Sequence, residues 1–164
     1  SFLEELCSIL LSANSMNAQT RIRLRLDIEH VLISPDQAVP IALIVTEVLS
    51  NALRYAFPGE RAGHIVIALH KVVPPDPDKE GLVELKLGDD GIGIDAGQAS
   101  ESRTRREGIG MQLIRGFARQ INADMTVSNE NGTWYTLRFI PERPSLTALA
   151  MAREAINHDE DSVR

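Results

Sequence analysis

The chain has 164 residues, enough for one domain with a sizeable core. Its hydrophobic fraction of 43% is that of an ordinary globular protein, and its net charge of −6 argues against non-specific nucleic-acid binding, which needs a basic surface. No apolar run approaches the ~18–20 residues that cross a bilayer, and no signal-peptide pattern opens the chain. Cys7 is the only cysteine, so an internal disulfide is excluded and a reducing cytoplasm is compatible. Its neighbours Leu3, Leu6 and Leu10 make it a core-facing thiol rather than a reactive one.

The chain enters directly into helical periodicity. Phe2, Leu3, Leu6, Ile9 and Leu10 share one stripe, and residues 2–12 read as a helix that looks like the stump of a preceding segment. Residues 21–29 alternate strictly, with Ile22, Leu24, Leu26 and Ile28 facing one way and Arg21, Arg23, Arg25, Asp27 and Glu29 the other. This is a half-buried strand with a solvated basic row. Ser34-Pro35-Asp36 breaks the chain, and a long helix follows to Ala56. Pro40 is tolerable only in a first turn, which favours a start near Gln37–Val39. Phe57-Pro58-Gly59 ends this helix.

A strand is expected over 64–72, then a stiff polar connection at 74–78, then a strand over 82–88. From Asp95 to Glu107 the chain is polar and reads as a lid. A helix is expected from Gly110 to about Ile121, with Leu113, Ile114, Phe117, Ala118 and Ile121 as its apolar stripe. Two strands joined by Asn129-Glu130-Asn131-Gly132 complete the sheet. Residues 145–157 suggest a short terminal helix, followed by a frayed charged tail. The fold class is α+β, with a mixed, largely antiparallel sheet and helices on one face.

Three pieces carry chemistry. Glu47 and Asn51 lie one turn apart on an otherwise apolar helix, and Arg54 and Tyr55 extend that face. The Asn51 amide oxygen is a hard ligand suited to Mg²⁺, and the Glu47 carboxylate can act as a base or orient a water. Solvent exposure is the plainer reading of this pair on its own. Asp89-Asp90-Gly91-Ile92-Gly93 closes a strand. An ionised carboxylate only accepts hydrogen bonds, so Asp89 suits the exocyclic amino group of adenine, and Gly91 and Gly93 let backbone approach a flat ligand. An ordinary turn is the alternative.

Gly108-Ile109-Gly110 is expected to open a helix whose free N–H groups attract phosphate. Arg103, Arg105 and Arg106 read as solvated lid charges before phosphate contacts. The Thr133 hydroxyl is placed to join Asp89 at the base, although alone it marks only a hairpin exit. In this order the pieces point to Mg-ATP. A dinucleotide fingerprint fails because the glycine after Gly91 and Gly93 is misplaced at Gly97, and no P-loop occurs. The four histidines have no metal-site spacing and read as surface or structural residues.

Glu47-(x3)-Asn51, Asp89-x-Gly91-x-Gly93, Gly108-x-Gly110 and Gly132-Thr133 resemble, in order, the N, G1, G2 and G3 boxes of the GHKL ATP-binding superfamily. Residues 38–57 resemble in particular the bacterial histidine kinases of the HWE and related class. The resemblance implies a Bergerat-type sandwich binding ATP and Mg²⁺. Asn51 then holds the metal, Glu47 assists catalysis, Asp89 reads adenine, and Gly91, Gly93, Ile94 and Thr133 also bind the nucleotide. Arg54 and Tyr55 lie near the phosphates, Gly108 and Gly110 hinge the lid, and Ile109 and Met111 beside them also bind the nucleotide. Met111 departs from the usual leucine, a volume-conserving change. The phosphoacceptor-helix motif is absent.

The implied organisation is a preceding phosphotransfer-helix end over 1–15, a catalytic domain over 16–141 and an extension over 142–164. The implied partners are upstream histidine-phosphotransfer helices, a response regulator and a second copy in the full protein, with no nucleic acid and no membrane contact by this domain. The implied activity is transfer of the γ-phosphoryl group to a histidine outside this chain, in the cytoplasm. An anti-sigma-factor serine kinase of the same fold and a degenerate docking module are the alternatives.

Overall fold

The computed structural model describes residues 21–59, 61–73, 81–93 and 101–142, the last of these without the side chains of 101–107. Expectations for residues 2–12, Cys7, the 74–78 connection, Ile94, the lid arginines and the terminal helix fall outside the described residues or side chains.

The described elements are β1 (Ile22–Ile28), α1 (Pro35–Asn51) with a π-turn over Ala52–Ala56, β2 (Gly63–Val72), β3 (Leu82–Asp89), α2 (Glu101–Gln120), β4 (Asp124–Ser128) and β5 (Thr133–Phe139). They form a five-stranded sheet in the order β1-β2-β3-β5-β4. β1 and β2 are parallel through the α1 crossover, and the other pairs are antiparallel. The fold is the α+β sandwich expected from the sequence.

The strand alternation sets one core face. Ile65, Ile67 and Leu69 on β2, Val83, Leu85 and Leu87 on β3, and Tyr135, Leu137 and Phe139 on β5 are all buried. All but Ile65 cluster with Ile41, Ile44, Val45 and Val48 of α1, Ile114 and Ala118 of α2, and Ile121 just after it, while Ile65 packs with Leu49, Ala52 and Ala56. Each such side chain contributes about 1.5–3 kcal/mol on full burial. Leu113, placed on the α2 stripe from the sequence, is 45% exposed, and Leu43 on α1 is 42% exposed. Leu43 sits off the i, i+3, i+4 stripe of its helix and Leu113 at the margin of its own. Leu26 is also exposed, because β1 lies at the sheet edge.

The start of α1 differs from the sequence expectation. Ser34 is the N-cap, with its Oγ accepting from the Gln37 N–H at 3.4 Å, and Pro35 occupies the first turn. Pro40 therefore lies inside the helix. The cap and the preset φ of Pro35 fix the start, and Pro40 is carried along. Gln37 is buried, and its Nε2 donates to the Ile140 carbonyl (2.9 Å) while its Oε1 accepts from the Glu142 N–H (2.8 Å). This amide pins the exit of β5 to the start of α1.

The helical stretch Pro35–Ala56, 22 residues long, contains an 18-residue window that is long and apolar enough, by length and composition alone, to cross a bilayer. The expectation from the sequence concerned an unbroken apolar run, and Glu47, Asn51 and Arg54 interrupt this one. In the fold, the apolar side of this segment packs on the sheet.

The start of α2 also differs. The helix begins at Glu101 rather than Gly110. Residues 101–107 carry no apolar stripe to reveal a helix, yet Glu and Arg are good helix formers. Gly108, Ile109 and Gly110 thus lie inside α2. Their amides are therefore not among the free N–H groups of a helix start.

Candidate functional site

The site sits where the last turns of α1 meet α2 and the ends of β3 and β5. Glu47 and Asn51 are both half-buried on α1. The side of α1 that carries them faces Gly110 of α2. A Cβ on Gly110 would overlap the Glu47 Oε1 and lie 3.3 Å from the Asn51 Nδ2. Glycine at 110 is what lets the two helices approach at this carboxylate and amide. Gly108 and Ile109 are exposed on the neighbouring side of α2, and Met111 packs against the core.

The π-turn over Ala52–Ala56 carries α1 to its end. Such i→i+5 turns are rare and recur at functional sites. Arg54 is exposed on it and Tyr55 is half-buried. Its last residue, Ala56, receives the turn that follows β3. The Ile92 N–H donates to the Ala56 carbonyl at 3.0 Å, and a Cβ at Gly91 would collide with the Ala56 backbone. Gly91 is therefore required by close approach. Gly93 leaves the turn with a φ of +78°.

Asp89 ends β3 on the helix-covered face and is 4% exposed. Its cross-strand partner is Thr133, also buried, as the motif order implied. The Gly91 N–H donates to the Asp89 Oδ1 at 2.9 Å. Burial raises the Asp89 carboxyl above its ordinary pKa of 3.8, and the nearby Asp90 charge adds to this. The Gly91 and Thr133 N–H groups and Arg61 oppose it without cancelling it.

Asp90, which sequence reading passed over, is fastened on every polar atom. Its N–H donates to the His64 carbonyl (3.2 Å), and its own carbonyl accepts from the Arg61 Nη2 (3.1 Å). Its Oδ1 accepts from the His64 N–H at 2.6 Å, and its Oδ2 lies 3.0 Å from the His64 Nδ1. Burial pushes the Asp90 carboxyl up, but the His64 main-chain and ring contacts outweigh it, and the net shift is below 3.8. Nothing in the local pattern around His64 signalled this. The doubled aspartate was the only hint.

Glu47, Asn51 and Gly110 are thus brought together, as are Asp89, Gly91 and Thr133, and Ala56 links the second group to the end of α1. The donor set suits Mg-ATP: a hard amide oxygen beside a carboxylate, and a buried carboxylate beside a hydroxyl. A separate depression of about 1280 Å³ opens at the opposite end of the sheet, lined by Val31, Gln37, Val72, Val83 and Ile121 among others. It contains none of the predicted site residues.

Comparison with known proteins bears on this geometry. Residues 36–144 match the family described as histidine kinase-, DNA gyrase B-, and HSP90-like ATPase. The anti-sigma F factor of Priestia megaterium is 28% identical over 120 residues, covering 68% of this chain and 76% of that protein.

The histidine kinase domain of the Erythrobacter litoralis EL346 blue-light activated histidine kinase superposes with a TM-score of 0.61 at 25% identity. The match covers 83% of this chain and 58% of that one. The chain therefore spans well under two thirds of that domain. The mycobacterial sensor histidine kinase MprB shares the fold, with a TM-score of 0.59 at 19% identity over 87% of this chain and 96% of that one.

Proposed function

Because the chain belongs to the histidine kinase-, DNA gyrase B-, and HSP90-like ATPase family, we propose that it is the ATP-binding catalytic domain of a cytoplasmic sensor histidine kinase. The acceptor of the γ-phosphoryl group is a histidine outside this chain, on upstream phosphotransfer helices of a dimeric full protein, and a response regulator receives the group next.

The observation that carries this reading is the joining of two recognition pairs on one helix end. Asp89 with Thr133 reads adenine, and Asn51 with Glu47 handles the metal and the chemistry. Bound Mg²⁺ would supply charge neutralisation at the phosphates, with the Asn51 amide oxygen as its protein ligand. Glu47 is the carboxylate available in the same space to accept a hydrogen bond or a proton. Gly91, Gly93 and Ile94 border the base. Arg54, Tyr55 and the Gly108–Met111 segment border the phosphates. Catalysis is then mainly positioning and electrostatic stabilisation.

The test is direct. Calorimetry should detect ATP binding that strengthens with Mg²⁺. With γ-labelled ATP the domain alone should stay unlabelled, and an added histidine-bearing phosphotransfer helix pair should gain an acid-labile phosphate. No ATP binding would sink the reading and leave a docking module.

The relative from Priestia supports a second reading, an anti-sigma-factor serine kinase. An acid-stable phosphate on a protein partner would select it.

A further inference from the structure

We propose that Asp90 is a positioning residue for adenine recognition, acting through a relay of side chains that ends at Arg25 on β1. The proposal rests on the assignment of Asp89 to adenine and concerns what holds Asp89 in place. The turn that carries Asp89 is gripped from two sides. On one side Gly91 and Ile92 abut Ala56 at the end of α1. On the other, Asp90 is bound by its main chain and its side chain to His64 at the start of β2, and by its carbonyl to Arg61.

The proton placement in this relay follows from the chemistry of the groups. A carboxylate only accepts and a guanidinium only donates. The His64 Nδ1 faces the Asp90 Oδ2 at 3.0 Å, so Nδ1 carries the proton. The His64 Nε2 faces the Arg25 Nη2 at 3.3 Å, so Nε2 accepts. The ring is therefore a directed bridge from β1 to the turn after β3, crossing β2. Arg23 is paired with His64 across the β1–β2 register, so a second cation stands on the same side.

Asp90 itself points to β2 and away from its neighbour Asp89, as successive residues at a strand end must. Its contribution to the ligand is indirect. It removes the freedom of the Asp89 main chain, so that the Asp89 carboxylate stays aimed at one position. The two adjacent carboxylates thus divide the work, one facing the base and one facing the scaffold. Recognition of an amino group by a carboxylate is sensitive to misplacement, because hydrogen bonds weaken steeply off their axis.

The experiment measures ATP and inosine triphosphate affinities in parallel by calorimetry, since inosine carries an oxo group where adenine carries its amino group. The wild-type domain should prefer ATP. Asp90→Ala should weaken ATP binding about tenfold, the loss typical of a charge-assisted contact, and leave inosine triphosphate within about twofold. Asp90→Asn keeps an acceptor for the His64 N–H and should recover most of the preference. His64→Ala removes only the ring contact and should lie between wild type and Asp90→Ala.

An unchanged ATP-to-inosine ratio in a folded Asp90→Ala protein, with a cooperative melt, overturns the proposal. A fall in both affinities together also overturns it, because that reports general damage. If the wild-type protein and Asp89→Asn bind the two nucleotides alike, the adenine assignment itself has failed, and this outcome is distinct from the other two.

Discussion

The Glu47 carboxylate on α1 occupies the space that a side chain at position 110 on α2 would need, and the Asn51 amide borders the same point. A helix-internal glycine costs stability through backbone entropy, so its presence here calls for a reason beyond propensity. Close approach to the polar pair of α1 supplies it.

Gly110→Ala tests this relationship. The added methyl meets the tip of a flexible side chain, so the carboxylate moves and the helices keep their packing. Alanine also adds about 1 kcal/mol of helix propensity. The melting temperature should hold or rise. ATP affinity should stay within about threefold, while phosphotransfer to an added acceptor domain falls about tenfold. A clear loss of melting temperature would show that backbone, not carboxylate, gives way.

Asp89→Asn should separate binding from stability. Burial is the main reason that the Asp89 carboxyl is raised above 3.8. A carboxyl raised in the folded state stabilises the fold fully below its unfolded pKa and loses that contribution as pH rises through the folded one. At neutral pH the ionised group therefore works against folding. The variant should lose ATP affinity about tenfold or more, and its stability relative to wild type should be more favourable at neutral pH than near pH 4. Denaturant melts at the two pH values check the sign.

Asn51→Ala addresses the metal. In the wild-type protein, chelating Mg²⁺ should lower ATP affinity. In the variant the chelator should make little difference, because the amide ligand is gone while Asp89 still holds the base. A full magnesium dependence in Asn51→Ala would assign the metal to other groups.

Gln37→Ala is a stability probe remote from ATP. It strips partners from the Ile140 carbonyl and the Glu142 N–H. The expected loss is about 1–3 kcal/mol in a denaturant melt, with ATP affinity unchanged. A loss of ATP affinity at full stability would contradict the separation of the two ends of the sheet.

Much of this was legible in the chain. The alternation in 64–72, 82–88 and 135–139 marked the strands because one face of this sheet is covered and the other is not. The helical period over 41–56 marked α1 because it too buries a single stripe. Where the sequence carries no apolar period, reading failed: residues 101–107 are polar and charged throughout, so the first turns of α2 were invisible. Leu113 has the phase of the α2 stripe but lies at its margin, and how far the core reaches round a helix is not written in its period.

The order of Glu47, Asn51, Asp89, Gly91, Gly110 and Thr133 was determined by the sequence, since residue chemistry and spacing are local properties. Which of them meet was decided only by the tertiary structure. Gly110 faces Glu47 because two helices cross there, and Asp90 reaches His64 because β2 and β3 pair in one register. Contacts between residues far apart in the chain depend on how elements pack, and no local pattern encodes that packing.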